Sequence, residues 1–352
     1  MARDPAPPLV AGYDGIVSDL DGVVYRGTEA VPYAVGALSR AHADVGVVYA
    51  TNNASRTVAT ITAQLAGVGL TVGPKEVITS ALAGAAVLAE DLPTAAVVLA
   101  VGGDGVIEAL RGAGLVPTRR ATADVAAVLQ GYGSAVTAGD LAEASLAVAA
   151  GATWVATNTD LTLPIDRGII PGNGTLVAAV ATATGREPVV VGKPFAPLYA
   201  RSAHLLGSAL ERTLAIGDRL ETDIAGAQAA DMDSVWVLTG VHGVTDLALG
   251  TATPTYAVLD LRELYDTYPP VERRGEQWCH AGVVVGHEAG VLVVQQDSTQ
   301  LPAEMVPKAV LRAGVQMVCD LRESGVDKRE LLQVAAQIDA YVRHRATPGA
   351  AQ

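Results

Sequence analysis

A chain of 352 residues that is 50% hydrophobic and only 17% charged has more apolar material than one ordinary core needs, and it reads as two or three globular domains. Its net charge of −13 excludes nucleic acid and an anionic membrane surface as main partners, whereas a small anionic substrate needs only local positive charge. Two cysteines, Cys279 and Cys319, no signal-peptide core in residues 1–8 and no apolar run of membrane-spanning length together point to buried thiols in a reducing cytoplasm.

Apolar strands alternate with amphipathic stretches along the chain, the pattern of parallel βαβ units whose ligands bind at the carboxyl ends of the strands. The first strand runs into Asp19-Leu20-Asp21-Gly22-Val23. Strand alternation lets Asp19 and Asp21 both point beyond the same strand end. Two carboxylates this close repel unless a cation, a shared proton or an electrophile compensates them, so a bound metal is the simplest account; an acidic Asp-Gly turn is the competing one. A second strand at 46–50 runs into Thr51-Asn52-Asn53-Ala54-Ser55-Arg56, ahead of an amphipathic stretch at 57–67. This predicts a helix whose N-terminal amides face an anion, or ordinary capping.

Residues 74–187 carry strand-like runs at 95–101, 125–129 and 153–157 between Ala-rich helical stretches, which predicts an inserted α/β layer. Gly102-Gly103-Asp104-Gly105 lacks the full dinucleotide fingerprint and reads as a strand-to-helix turn, so no nicotinamide or flavin is implied. A strand at 188–191 leads to Lys193, held at its carboxyl end by the strand-ending Pro194. A strand at 213–216 leads to Gly217-Asp218-Arg219-Leu220-Glu221-Thr222-Asp223, which puts Asp218 and Asp223 on a loop entering a helix, where acids also serve as dipole partners. Beyond Tyr268-Pro269-Pro270 a charged linker at 272–276 precedes a hairpin, with arms at 277–286 and 290–296, and helices at 302–323 and 328–344. Cys279, His280 and His287 there lack zinc spacing.

In order, the four strand ends offer two carboxylates, a hydroxyl with amide donors, an ammonium and two more carboxylates, the inventory of a phosphoryl-transfer site. On Asp19-Leu20-Asp21-Gly22-Val23, Thr51-Asn52, Lys193 and Gly217-Asp218 with Asp223, the chain resembles the haloacid dehalogenase (HAD) superfamily of aspartate-nucleophile phosphatases. The Thr51-Asn52-Asn53 and Gly217-Asp218-Arg219-Leu220 forms and the long insertion are similar to the nitrophenylphosphatase-like branch with a C2-type cap, over residues 9–268. With the C-terminal segment added, the arrangement resembles the bacterial D,L-glycerol-3-phosphate phosphatases of glycerophospholipid recycling.

That resemblance implies an α/β fold: a doubly wound parallel-sheet (Rossmann-like) core at 9–75 plus 188–268, an α/β cap at 76–187 that chooses the substrate, and a small C-terminal α+β domain. The last, at 277–345, is a β-β-α-α unit resembling a fragment of an acetyltransferase fold; without an acyl-coenzyme A loop its expected role is packing or dimerisation, which makes a homo-oligomer an expectation. The resemblance casts Asp19 as the nucleophile that forms an aspartyl-phosphate and Asp21 as general acid, then base. It implies Mg²⁺, with Mn²⁺ or Co²⁺ as substitutes, on Asp19, Asp218 and the Asp21 backbone carbonyl. Thr51, Asn52 and Asn53 would bind phosphoryl oxygens, Lys193 would neutralise charge, and Asp223 would hold a metal-bound water or Lys193. Arg219 and Glu221 read as solvated.

In the cap, Asn158, Thr159, Asp160 and the 164–174 loop are candidates for gripping a small hydroxylated substrate, against the alternative that they only build a turn. The implied enzyme is a cytoplasmic phosphoric monoester hydrolase acting on a small phosphorylated metabolite, glycerol 3-phosphate first. Other small phosphomonoesters, such as 2-phosphoglycolate, pyridoxal phosphate or a sugar phosphate, are the alternatives. A non-catalytic regulator that binds a phosphometabolite is the alternative of another class.

Overall fold

The computed structural model describes residues 7–165, 167–296 and 301–346. Residues 1–6 of the leader reading, and Asp166 of the 164–174 loop, lie outside the described residues. The chain forms two compact units, Met1–Val47 with Ala209–Gln352, and Val48–Ser208. Each therefore holds part of the catalytic core expected from the sequence; the core, cap and C-terminal boundaries of that expectation stay a proposal.

In the first unit, parallel strands Gly15–Ser18, Thr213–Gly217, Ser234–Val237 and Tyr256–Val258 lie side by side, with Ser18 opposite Ile216 and Gly217 opposite Trp236. The first three are buried along their whole length, as strands covered on both faces must be, and their sequences are correspondingly near-continuous in apolar residues. The α/β class with parallel sheets is as expected.

Its C-terminal part is an antiparallel sheet of four strands in the order Glu272–Arg274, Gln277–His280, Val283–Glu288 and Val291–Gln296. The expected first hairpin arm is two strands here, because Ala281 and Gly282 both take positive φ and turn the chain back. The charged linker supplies the outermost strand. Helices Met305–Glu323 and Lys328–Ala346 cover the sheet, and one continuous apolar cluster runs from Leu220, Trp236 and Leu247 into Trp278, Val310 and Ile338. The C-terminal part thus shares a core with the elements that carry Asp218.

In the second unit, Tyr49–Thr51, the end of strand Val47–Thr51, pairs in parallel with Val77–Thr79, Thr51 opposite Thr79. Helix Val58–Gly67 follows, its first turn capped by Thr57, whose Oγ1 accepts the Thr60 N–H at 3.2 Å. A separate five-stranded parallel sheet has the order Val189–Val190, Thr153–Ala156, Val125–Gln130, Val97–Val101, Val116–Thr118. Helices such as Asp104–Gly112, Ala138–Ala149 and Asn173–Thr184 complete it. The Gly102–Gly103 step is the strand-to-helix turn the sequence suggests.

Candidate active site

The expected site residues divide between the units, Asp19, Asp21, Asp218 and Asp223 in the first and Thr51, Asn52, Asn53, Asn158, Asp160 and Lys193 in the second. In the first, Asp19 leaves its strand with its N–H on the Ile216 carbonyl at 2.8 Å. The chain then coils tightly: the Leu20 carbonyl accepts from the N–H groups of Val24 at 2.8 Å and Tyr25 at 3.2 Å, and the Gly22 N–H donates to the Tyr25 carbonyl at 2.8 Å. Asp19 is half-buried and Asp21 exposed.

Asp218 follows the neighbouring strand and is 2% exposed. The Trp236 indole donates to its backbone carbonyl at 3.1 Å, and the Val241 N–H donates to its Oδ2 at 3.1 Å. Asp223, 3% exposed, is brought back to the same place by one wide helical turn, Leu220–Ile224, in which the Ile224 N–H reaches the Arg219 carbonyl five residues back at 3.1 Å. Its Oδ2 accepts the Arg219 N–H at 3.1 Å.

Asp19, Asp218 and Asp223 each offer a carboxylate oxygen within 4.8 Å of the others. Three oxygen anions so close, two of them buried, repel one another until a cation compensates them, and an all-oxygen donor set suits Mg²⁺. The residues present therefore fit the metal. Among the described residues this is the one group of three or more His, Cys, Asp or Glu side chains with ligand atoms this close, and Cys279, His280 and His287 do not form another such group. Register explains this: His280 sits opposite Val283, while His287 sits opposite Leu292.

In the second unit the Asn52 side chain clamps the backbone of Lys193 from both sides, its Oδ1 accepting the Lys193 N–H at 2.8 Å and its Nδ2 donating to the Lys193 carbonyl at 3.0 Å. Nδ2 also reaches Asp160 Oδ2 at 3.3 Å. Lys193 is 3% exposed, so its ammonium is desolvated and suited to an anion. The Thr51 hydroxyl accepts the Asn53 N–H at 3.1 Å, and Asn53 Oδ1 accepts the Ser55 N–H at 3.0 Å, which fixes the turn into the following helix. Asn158 is buried, with Nδ2 on the Asn52 carbonyl at 2.9 Å and Oδ1 on the Asp160 N–H at 3.2 Å. Glycines 172 and 174 crowd the carbonyls of Asp160 and Thr159. The structure thus gathers Asn52, Asn158, Asp160 and Lys193 into one connected set.

Sequence reasoning missed the segment after the strand Ser234–Val237. Thr239 Oγ1 donates to the Gly22 carbonyl at 2.8 Å, and Gly240 lies so near Asp218 that a Cβ there would overlap its carboxylate. The signal was present, since an apolar strand ending in Thr239-Gly240 repeats the pattern of the other four strand ends.

A family model described as haloacid dehalogenase-like hydrolase matches residues 16–116, which hold Asp19, Asp21, Thr51, Asn52 and Asn53, and a HAD-hydrolase-like one matches 190–264, which hold Lys193, Asp218 and Asp223; Asn158 and Asp160 lie between the two matches. A D-glycerol 3-phosphate phosphatase of Mycobacterium tuberculosis is 43% identical over 255 residues, 72% of this chain and 71% of the relative. The chain belongs to the haloacid dehalogenase-like hydrolases. An acid sugar phosphatase of Staphylococcus aureus is 35% identical over 71% of this chain and 96% of its own length, and the expected phosphatase class holds for this family member. Among solved structures, a glycerol phosphate phosphatase from M. tuberculosis crystallised with magnesium has a TM-score of 0.77 at 35% identity, covering 89% of this chain and 93% of its own. A p-nitrophenyl phosphatase from Archaeoglobus fulgidus has a TM-score of 0.68 at 28% identity, covering 72% and 98%. Among the described residues no helix is long and apolar enough to cross a membrane.

Proposed function

We propose that this HAD hydrolase is a cytoplasmic Mg²⁺-dependent phosphomonoesterase that hydrolyses glycerol 3-phosphate to glycerol and phosphate, a step of glycerophospholipid recycling. The observation that carries the reading is the cluster of Asp19 and Asp218, which follow adjacent parallel strands, with Asp223 on the turn after the second. Substrate choice is supported by coverage: the similarity to the glycerol phosphate phosphatase structure extends over 89% of the chain, against 72% for the p-nitrophenyl phosphatase.

In this reading the Asp19 carboxylate attacks phosphorus, Asp21 protonates the departing alkoxide and then deprotonates the water that hydrolyses the aspartyl-phosphate. Asp19, Asp218 and the Asp21 carbonyl would hold Mg²⁺, with Asp223 completing the anionic cradle. Held there, the cation would screen carboxylate repulsion and supply the charge that orients a phosphoryl group. Lys193, presented by Asn52, and the Thr51 hydroxyl neutralise and hold phosphoryl oxygens. Asn53 and Asp160 remain substrate contacts in this proposal, and Asn158 acts through Asn52 and Asp160.

Phosphate release from a panel containing both glycerol 3-phosphate enantiomers, 2-phosphoglycolate, pyridoxal phosphate and sugar phosphates, with Mg²⁺ present or chelated, tests it. Release led by glycerol 3-phosphate, metal-dependent and reduced about 10³-fold or more in Asp19→Asn, is expected. Another ester in the lead keeps the mechanism and removes the substrate. Tight ester binding without release replaces the enzyme by a regulator.

A further inference from the structure

The metal-side carboxylate Asp218 does not depend on its own strand alone. The segment 239–243 lies directly on it, with the Val241 N–H on Asp218 Oδ2 at 3.1 Å and the Thr239 hydroxyl on the Gly22 carbonyl at 2.8 Å. Its other end turns at Gly243 into the short helix Val244–Leu249, where His242 Nδ1 accepts the Leu220 N–H at 3.0 Å. The segment therefore touches the polypeptide on both sides of the metal cluster, the Asp19–Gly22 loop and the wide turn that carries Asp223.

What fixes the far end of this segment comes from the C-terminal helix Lys328–Ala346. Asp339, 9% exposed, accepts the Val244 N–H at 2.8 Å through Oδ1, and the Thr245 N–H at 3.0 Å and Thr245 hydroxyl at 2.8 Å through Oδ2. The short helix has no side-chain cap from the residue before it, since that position is Gly243. Its first-turn donors are satisfied instead by a carboxylate 95 residues later in the chain. A buried carboxylate accepting three hydrogen bonds is a strong, directional restraint.

We propose that Asp339 is a positioning residue for the metal site: by anchoring the first turn of Val244–Leu249 it sets where residues 239–243 lie, and so the orientation of the Asp218 carboxylate. This rests on the reading of Asp19, Asp218 and Asp223 as the Mg²⁺ site. It gives the C-terminal α+β part a role in the chemistry without its touching the substrate, and it explains why sheet strands and C-terminal helices share one core.

The test uses the full chain and Mg²⁺ alone, titrated by calorimetry, together with the Mg²⁺ dependence of phosphate release. Asp339→Ala should bind Mg²⁺ about tenfold more weakly, the lower end of what outer contacts of a metal site contribute, and should recover near wild-type turnover at saturating Mg²⁺. Asp339→Asn, which keeps the volume and one acceptor, should shift in the same direction by less, and it carries the test if the alanine variant does not fold. Val285→Ala, a cavity in the same C-terminal sheet away from the 239–243 segment, should lower the melting temperature and leave Mg²⁺ affinity unchanged. Wild-type Mg²⁺ affinity in a folded Asp339 variant overturns the proposal, as does an equal loss of affinity in Val285→Ala. Asp218→Asn should bind no Mg²⁺; if it binds as tightly as the wild type, the metal reading itself falls and the proposal falls with it.

Discussion

Gly240 and Gly22 leave room for the Asp218 carboxylate that any side chain would take. Gly22 has φ +85°, which disfavours any side chain, and a Cβ there would also overlap the Asp218 carboxylate. At Gly240 the close approach alone forbids a Cβ, since that atom would overlap the Asp218 carboxylate. Gly240→Ala should therefore keep its backbone conformation and push Asp218 aside, with Mg²⁺ affinity falling at least tenfold while the far-ultraviolet circular dichroism spectrum is unchanged. Wild-type affinity in that variant would show that the carboxylate relaxes freely. Asp19 and Asp218 were legible because an apolar run ending in an acid marks a strand end. The work of Asn158 was not, because its hydrogen bond runs to Asn52, 106 residues earlier in the chain, and no local pattern records such a bond.

Where elements meet, buried polar groups decide register, and the turn Leu261–Tyr265, the strand Gln277–His280 and the helix Met305–Glu323 converge on one of them. Arg312 pairs with Glu263 at 2.7 Å, with side chains 2% and 0% exposed, and its guanidinium lies 4.1 Å over the Tyr268 ring and 3.3 Å from His280 Nε2. Breaking such a pair leaves a buried charge and costs about 3–5 kcal/mol, so Glu263→Ala should be among the most destabilising single changes in the unit. Burial, then the Arg312 charge, pushes the His280 imidazole down to about 4. Its folded value lies below the unfolded one, so the unfolded chain binds the extra proton between these values; the stability it contributes is present above about pH 6.5 and is lost as pH falls toward 4. The Glu263 carboxyl, pushed up by burial against the pull of Arg312, has the opposite slope, and the Tyr268 hydroxyl, pushed up to about 12, stays neutral throughout. Melting temperature measured from pH 7.5 to 4 should therefore fall less steeply in His280→Gln, which keeps an acceptor for Arg312. Identical slopes would assign the acid sensitivity elsewhere. The helices of this region were visible in the sequence as long amphipathic runs, whereas the wide turn Leu220–Ile224 was not, because Leu-Glu-Thr-Asp-Ile carries no residue that marks five-residue spacing.

At the scale of the whole chain, the C-terminal part is readable in sequence as a separate domain after Tyr268-Pro269-Pro270, yet its apolar faces are not its own. Trp278, Val310, Val318 and Ile338 belong to the same buried cluster as Trp236, Val244 and Leu247, so the linker separates sequence segments that share a core. Each apolar side chain of Val or Leu size taken from that cluster forfeits about 1.5–3 kcal/mol of burial, while a native fold holds only about 5–15 kcal/mol in all. A chain ending at Pro269 would lose several such contacts at once, together with Asp339, and would expose Trp236 and the helix Val244–Leu249. It should therefore aggregate or melt well below the full chain in size-exclusion and circular dichroism measurements, with its residual folded fraction binding Mg²⁺ weakly. Were the truncated chain to melt like the full one and bind Mg²⁺ as tightly, the shared cluster would be an incidental contact, and the C-terminal sheet and helices would be an appendage with a purpose of their own.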